Sequence, residues 1–300
     1  MWKYLKARFL WNLARYTDLK KPAHVDLELS TKCPLRCAFC YRNEVEFEKK
    51  NIDHALAERV LLQAEFYGIP SIKYNWRGEA LENPLELYWA LNSFPSFYTM
   101  LNTALPRVND LRIIDDLAKY VDDLKISIDS ADRIIYCTVR KGMNPKGFKV
   151  LMSNVEALAG LRKKYGKAKL TISRRTSTLT ESETDEQFKK AFKGVKFDIK
   201  PAIQRNNENI YQMPPIGKGF TYSNRKYCGQ PSRRLVIDVD GNVWACCVAY
   251  KGQDELLLGN LDDNNLDEIW NGEKRKKLVK ELKNGILNGA CAECTSSDVI

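Results

Sequence analysis

Nine cysteines carry most of the reactive potential of this sequence, at positions 33, 37, 40, 137, 228, 246, 247, 291 and 294. They fall into a tight triplet (Cys33, Cys37, Cys40), a singleton (Cys137) and a late group of five. An odd count with one adjacent pair, Cys246-Cys247, suits a disulfide framework poorly, and metal ligation is the better use of so many thiols. No cysteine lies between Tyr41 and Tyr136, so the triplet has no local fourth thiolate. The two histidines, His24 and His54, stand nine or more residues from the nearest triplet member. A structural zinc wants four closed ligands. Three thiolates instead suit a cubane iron-sulfur cluster that leaves one iron open for a substrate or cofactor. Zinc is the alternative for the same thiols.

The surrounding pattern says what must position these groups. Strand-like runs at Val25 to Thr31, Ser71 to Asn75, Tyr98 to Asn102, Leu124 to Ile128, Lys169 to Ser173 and Lys196 to Pro201 alternate with helical stretches near Asp53 to Phe66, Pro84 to Asn92, Val108 to Tyr120, Lys146 to Tyr165 and Thr184 to Phe192. Such alternation implies parallel strands with helical crossovers. About 180 residues suit a partial (β/α)6 barrel better than a full eightfold barrel, which needs roughly 250. Reactive loops in such sheets follow the carboxyl ends of strands, and the triplet lies just past the first strand.

The expected domains are an N-terminal amphipathic helix over 1–21, a barrel core over 22–201, a connector over 202–227 rich in Pro, Gly and Asn, and a small α+β domain over 228–300. In the last, Arg234 to Asp238 and Asn242 to Cys246 flank Val239-Asp240-Gly241 as a hairpin, with helices over Asn265 to Trp270 and Glu273 to Lys283. On the N-terminal helix, Trp2, Leu5, Phe9 and Leu13 form an apolar stripe, expected to dock on its own domain, with a membrane-surface contact through residues 2–16 as the alternative.

Cys33-Pro34-Leu35-Arg36-Cys37-Ala38-Phe39-Cys40, a CxxxCxxC spacing with an aromatic before the last cysteine, resembles the radical S-adenosylmethionine (SAM) superfamily. The resemblance implies that the three thiolates hold a [4Fe-4S] cluster and that SAM chelates its open iron. Reductive cleavage of SAM then yields a 5′-deoxyadenosyl radical that abstracts hydrogen from a substrate. It further implies a SAM amino-group contact at Gly78-Glu79, although Arg77 stands where the motif commonly has a first glycine and Ala80 where it has a proline. Other implied contacts with SAM are Asn102, Ser127 and Asp129 at later strand ends, Arg140 for the SAM carboxylate, and Phe39 beside the adenine. Each has a simpler role available, as a helix or turn cap or as a surface arginine.

Cys228, Gly241 with Cys246 five residues on, and Cys291-Ala292-Glu293-Cys294 resemble the SPASM and twitch extensions of this superfamily, as do Leu258-Gly259-Asn260-Leu261 and Ile269-Trp270-Asn271. Only Thr295 to Ile300 follow the CxxC pair, which favours a twitch-like unit with one auxiliary [4Fe-4S] cluster on Cys228, Cys246, Cys291 and Cys294. A zinc on the same four thiolates is the alternative. Neighbours on a strand point to opposite faces, so only one of Cys246 and Cys247 is expected to reach the cluster, and spacing after Gly241 selects Cys246. Cys137 reads as a small buried hydrophobe.

The implied function is hydrogen abstraction from a peptide or a small sugar, cyclitol or nucleoside, followed by oxidation, crosslinking or another modification aided by the auxiliary cluster. A reductant such as flavodoxin or ferredoxin is the expected electron partner. The roughly 25 residues before the first strand are too few for a peptide-recognition domain, which weighs against a leader peptide. An RNA- or tRNA-modifying or nucleic-acid-binding protein is the other class, suggested by the net charge of +10. Basic residues are scattered, however, and seven thiolates with two cubane cores bring the charge to about +7. No apolar run approaches the roughly 20 residues of a membrane span and the start lacks a signal-peptide core, so a cytoplasmic location is expected.

Overall fold

The computed structural model describes residues 2–14, 16–43, 48–106, 108–167, 169–201, 228–247, 249 and 254–292. The connector expected over 202–227 and Cys294 lie outside the described residues. In chain order the elements are α1 (Trp2–Leu13), β1 (His24–Leu27), β2 (Arg36–Cys37), α2 (His54–Phe66), β3 (Ser71–Lys73), α3 (Pro84–Ser93), β4 (Tyr98–Thr103), α4 (Leu111–Tyr120), β5 (Asp123–Ser127), α5 (Arg133–Val139), β6 (Arg140–Lys141), α6 (Pro145–Lys164), β7 (Lys169–Thr176), α7 (Asp185–Lys190) and β8 (Lys196–Pro201). There follow β9 (Arg234–Ile237), β10 (Asn242–Trp244), β11 (Leu257–Asn260), α8 (Leu266–Trp270) and α9 (Glu273–Lys283). All six expected barrel strands form, as β1, β3, β4, β5, β7 and β8, with helices between them. Helix starts follow local chemistry. Asp53, Asp110, Asp132 and Asn144 accept backbone N–H bonds at the N-termini of α2, α4, α5 and α6. No helix among the described residues is long and apolar enough to cross a membrane.

The chain forms two compact units. The first comprises Met1–Lys32, Glu48–Thr99 and Thr221–Ile300. Its strands run in the order β11-β10-β9-β1-β3, with β1 parallel to both β3 and β9 (Val25 opposite Ile72 and Leu235) and the β9-β10-β11 run antiparallel. Val25, Leu27, Ile72, Leu235 and Ile237 are fully or almost fully buried, as are Ala57, Val60, Leu61 and Ala64 along one side of α2. The opposite face of the strands carries His24, Asp26, Glu28, Lys73 and Arg234, as strand alternation requires.

α1 docks on its own unit as expected but not through its apolar stripe, of which only Leu13 is half-buried. Trp2, Leu5 and Phe9 are 78%, 48% and 64% exposed. The docked side of the helix is Ala7, with Tyr4 at 5.5 Å from the Tyr98 ring, and Trp11 edge-on to His24 with the Arg234 guanidinium 4.8 Å from its ring. These aromatic and cation-π contacts set the rotation of the helix in place of the apolar stripe.

The second unit comprises Cys33–Phe47 and Met100–Phe220. Its strands are parallel in the order β4-β5-β7-β8. Leu124, Ile126, Ile128 and Ile172 are buried on one face, whereas Lys125, Ser127 and Asp129 occupy the other. The short pair β2-β6 is antiparallel, joining Cys37 to Arg140 in register.

Candidate active site

The triplet loop is tied down chiefly by its own middle cysteine. Cys37 sits in β2 opposite Arg140 of β6, the Ala38 N–H donates to the Val139 carbonyl at 2.7 Å, and the Cys37 carbonyl accepts from the Cys40 N–H and the Asn43 side-chain amide, both at 2.9 Å. Gly142 closes the turn beyond β6 with φ +100°. A Cβ there would lie 2.5 Å from the Pro34 carbonyl oxygen, so only glycine lets β6 approach the loop this closely.

Arg140 is the hub. It is buried, donates from Nε to Asp129 at 2.7 Å and from Nη1 to the Cys37 sulfur at 3.5 Å, and lies 5.6 Å from the Phe39 ring. Burial alone would favour the neutral guanidine, but Asp129 and the Cys37 sulfur outweigh it and push its pKa up. Burial likewise pushes the Cys37 thiol up while Arg140 pulls it down and the nearby Cys40 raises it again. Asp129, itself fully buried, spends its second oxygen on the Arg175 N–H at 2.9 Å. The structure therefore brings Cys37, Cys40, Phe39, Asp129 and Arg140 together. Ser127 lies on the same β5 face as Asp129, and Asn102 registers with Lys125 on the neighbouring strand.

Gly78 and Glu79 belong to the first unit. A Cβ on Gly78 would stand 2.0 Å from the Ser30 carbonyl oxygen and 2.8 Å from that of Lys32, so the turn after β3 lies against the chain that leaves β1, and the Glu79 N–H donates to Lys32 at 2.8 Å. Glu79 is buried and its carboxylate accepts from the Leu81 N–H. The Arg77 that departs from the motif's common glycine has a partner absent from the sequence reading. Its backbone N–H and guanidinium make four contacts of 2.6 to 3.1 Å to the fully buried Glu28, Asp238 lies 3.5 Å away, and the guanidinium stacks 4.2 Å over Trp76.

In the same unit, β10 ends at Trp244, so Cys246 and Cys247 are not on a strand and alternation does not separate them. Their sulfurs hydrogen-bond. That contact, with Arg234 and Lys73 nearby, holds the Cys247 thiol below the usual thiol range against the opposing effects of burial and Asp26. The Cys247 carbonyl accepts from the Trp76 indole at 2.7 Å, and Cys247 and Cys291 both pack against the core formed by Val236, Trp244, Ala249 and Leu256. Glu255 accepts from the Ala290 N–H at 3.0 Å and so fixes the turn carrying Cys291. Cys228 and Cys246 are half-buried. Cys137 lies on α5, half-buried, where burial raises its pKa.

The all-thiolate donor sets of both groups fit iron-sulfur clusters. A cubane spreads its thiolates over different irons, and Arg140 and Arg234 supply positive charge beside the sulfurs. Two of the arginines behind the net charge of +10 are buried. Arg174 is buried on the α7 side, bonded to Glu183 and Asp185, while Arg175 faces the opposite way, and Arg275 is buried over the Trp270 ring.

Residues 228–295 match the SPASM family, described as an iron-sulfur cluster-binding domain. A curated relative, the mycofactocin maturase MftC of Mycobacterium ulcerans, is 29% identical over 92 residues, which is 30% of this chain but only 24% of that protein. Among solved structures, BtrN in complex with AdoMet and 2-DOIA superposes with a TM-score of 0.62 at 16% identity, covering 92% of this chain and 94% of BtrN. SuiB of Streptococcus suis bound to its precursor peptide SuiA gives a TM-score of 0.53 at 17% identity, covering 94% and 72%. At these identities the structural likeness concerns the fold.

Proposed function

We propose that this chain, which has the radical SAM fold and carries a carboxy-terminal SPASM domain, is a radical SAM enzyme that modifies a peptide or a small molecule by hydrogen abstraction. Its cofactors are [4Fe-4S] clusters and SAM. Cys33, Cys37 and Cys40 hold the SAM-binding cluster, and Cys228, Cys246, Cys291 and Cys294 hold the auxiliary one. When reduced, the first cluster supplies the single electron that cleaves the sulfonium of SAM. The chain's own residues orient and insulate that chemistry. Arg140 balances the charge of the Cys37 thiolate and is held by Asp129. Gly78 and Glu79 in the first unit, and Asn102, Ser127 and the Phe39 backbone in the second, are the residues assigned to contact SAM. The late thiolates would hold a cluster able to accept the electron of an oxidised substrate, and a flavodoxin- or ferredoxin-type protein would be the reductant. The domain limits proposed for this division of labour are 22–201 for the SAM-binding core and 228–300 for the auxiliary domain.

The observation that carries this proposal is the Cys37-Arg140-Asp129 contact chain, which ties a cysteine of the CxxxCxxC loop to the polar end of β5. Anaerobic reconstitution is expected to give roughly eight irons and eight sulfides per chain. The Cys33→Ala/Cys37→Ala/Cys40→Ala variant is expected to keep about half of them. About four irons with one zinc in the unaltered protein removes the auxiliary cluster and leaves the SAM-binding one.

A further inference from the structure

The open face of the second unit carries a cation cluster that the assignments above do not use. Lys125 of β5, Arg175 of β7 and Lys200 of β8 surround one carboxylate, Asp198 of β8, with charged atoms 3.4, 3.9 and 3.8 Å away. Three cations share a single anion, which leaves a surplus of two positive charges on three adjacent parallel strands. Among the described residues Lys125 makes the one contact short enough to count as a hydrogen bond to Asp198, and Arg175 spends one donor on the Arg174 carbonyl, so most of the donors on the three side chains have no partner among those residues. None of the four is fully exposed: side-chain exposures are 31% for Lys125, 28% for Arg175, 44% for Lys200 and 20% for Asp198. At the half-buried positions of Lys125, Arg175 and Asp198 charges are screened less than on an open surface.

Position matters as much as charge. Lys125 shares its β5 face with Ser127 and Asp129, and the backbone N–H of Arg175 is the group that Asp129 holds while its other oxygen holds Arg140. The Arg175 backbone is thus two hydrogen bonds, through Asp129, from Arg140, which contacts Cys37. Arg174, one position along β7, turns to the α7 side and is fully paired there, so the alternation of the strand separates a structural arginine from a free-facing one.

We infer that Lys125, Arg175 and Lys200 form the substrate-anchoring end of the active site and bind a doubly charged anionic group, a phosphate monoester or a dicarboxylate, beside the SAM site. This rests on the radical SAM function proposed above. The surplus of two charges matches the charge of a phosphate monoester near pH 7. Asp198 keeps the three cations gathered when no ligand is present and sets the preference for a dianion over a monoanion.

Equilibrium dialysis of the reconstituted holoprotein with inorganic phosphate in one arm and succinate in the other tests this, each with and without SAM. Saturable binding of at least one anion is expected at concentrations up to about 10 mM, and the tighter arm identifies the chemical source. Lys125→Gln and Lys200→Gln should each weaken it about fivefold or more, the pair together by well over tenfold, and Asp198→Asn should tighten it several-fold. SAM should leave the binding in place. No saturable binding of either anion, unchanged binding in the Lys125→Gln/Lys200→Gln protein, or full displacement by SAM overturns the inference, the last by giving the cations to the cofactor's carboxylate. Substrate-free SAM cleavage by the unaltered protein is measured in parallel. If it persists while anion binding fails, the anchoring site alone falls, and if it is absent while anion binding holds, the radical SAM proposal falls and takes the substrate-anchoring role with it, leaving an anion site.

Discussion

Replacing Arg77 with methionine keeps the unbranched stem over Trp76 and deletes the charge that faces Glu28. Glu28 is fully buried, and burial already raises its pKa against the pull of Arg77. Without the guanidinium it becomes an unpaired buried carboxylate, a change that costs about 3–5 kcal/mol where no escape exists. The escape is protonation. Moving the carboxyl from its ordinary 4.5 to above 7 spans about two and a half units at about 1.36 kcal/mol each, which caps the electrostatic part at about 3.4 kcal/mol at pH 7. At pH 5 the same cap is about 0.7 kcal/mol. The sign follows from the direction of the shift: a carboxyl raised in the folded state binds its proton more tightly there, so the deficit grows as pH rises from about 4.5. Asp238 keeps other donors in the Asp240 and Asn242 N–H groups and the Trp244 indole, so the effect centres on Glu28. Urea unfolding of Arg77→Met and the unaltered protein, followed by far-ultraviolet circular dichroism, should show a deficit at pH 7 below that cap of about 3.4 kcal/mol, because the raised Glu28 pKa already costs the unaltered protein part of it, and the deficit should shrink below about 0.7 kcal/mol at pH 5. Adding Glu28→Gln should recover most of the pH 7 deficit. A deficit equal at both pH values, or no recovery in the double variant, refutes the pairing as the reason for arginine at this position.

Gly78→Ala should destabilise the protein by about 1–3 kcal/mol or more and weaken SAM binding in equilibrium dialysis, because its Cβ meets backbone carbonyls that cannot rotate away. Cys246→Ala and Cys247→Ala, assayed separately for iron, should differ: loss of a cluster ligand lowers the iron content by about four per chain, and loss of the other thiol leaves it near eight. Burial lowers the His24 pKa against the pull of Asp26, so the unfolded chain takes up a proton that the folded one refuses. Stability should fall as pH drops below about 6.5, by up to about 1.4 kcal/mol per pH unit, and His24→Gln should flatten that slope in urea titrations.

Periodicity and spacing revealed the six barrel strands and their helices because each βα unit has its own alternation and cap, as Asp53 shows at the start of α2. The cysteine loop was legible for the same reason: its spacing is local. The misjudged parts depend on partners distant in sequence. The rotation of α1 is set by Tyr4 against Tyr98 and Trp11 against Arg234, contacts that no helical period encodes. Strand alternation was the wrong rule for Cys246 and Cys247 because β10 stops at Trp244, where the chain turns. Glu28 gave a readable signal, a third acidic or basic residue in phase with His24 and Asp26 on a strand whose other face is apolar, but its partner Arg77 is 49 positions away. The cation cluster is assembled from three strands, and only their register brings Lys125, Arg175 and Lys200 around Asp198.

The central claim is that this chain cleaves SAM reductively at the cluster held by Cys33, Cys37 and Cys40. Anaerobically reconstituted protein, given SAM and a strong one-electron reductant, should form 5′-deoxyadenosine and methionine in equal amounts. The Cys33→Ala/Cys37→Ala/Cys40→Ala variant should form neither. No 5′-deoxyadenosine from protein loaded with roughly eight irons, or undiminished product from the triple variant, would contradict the account.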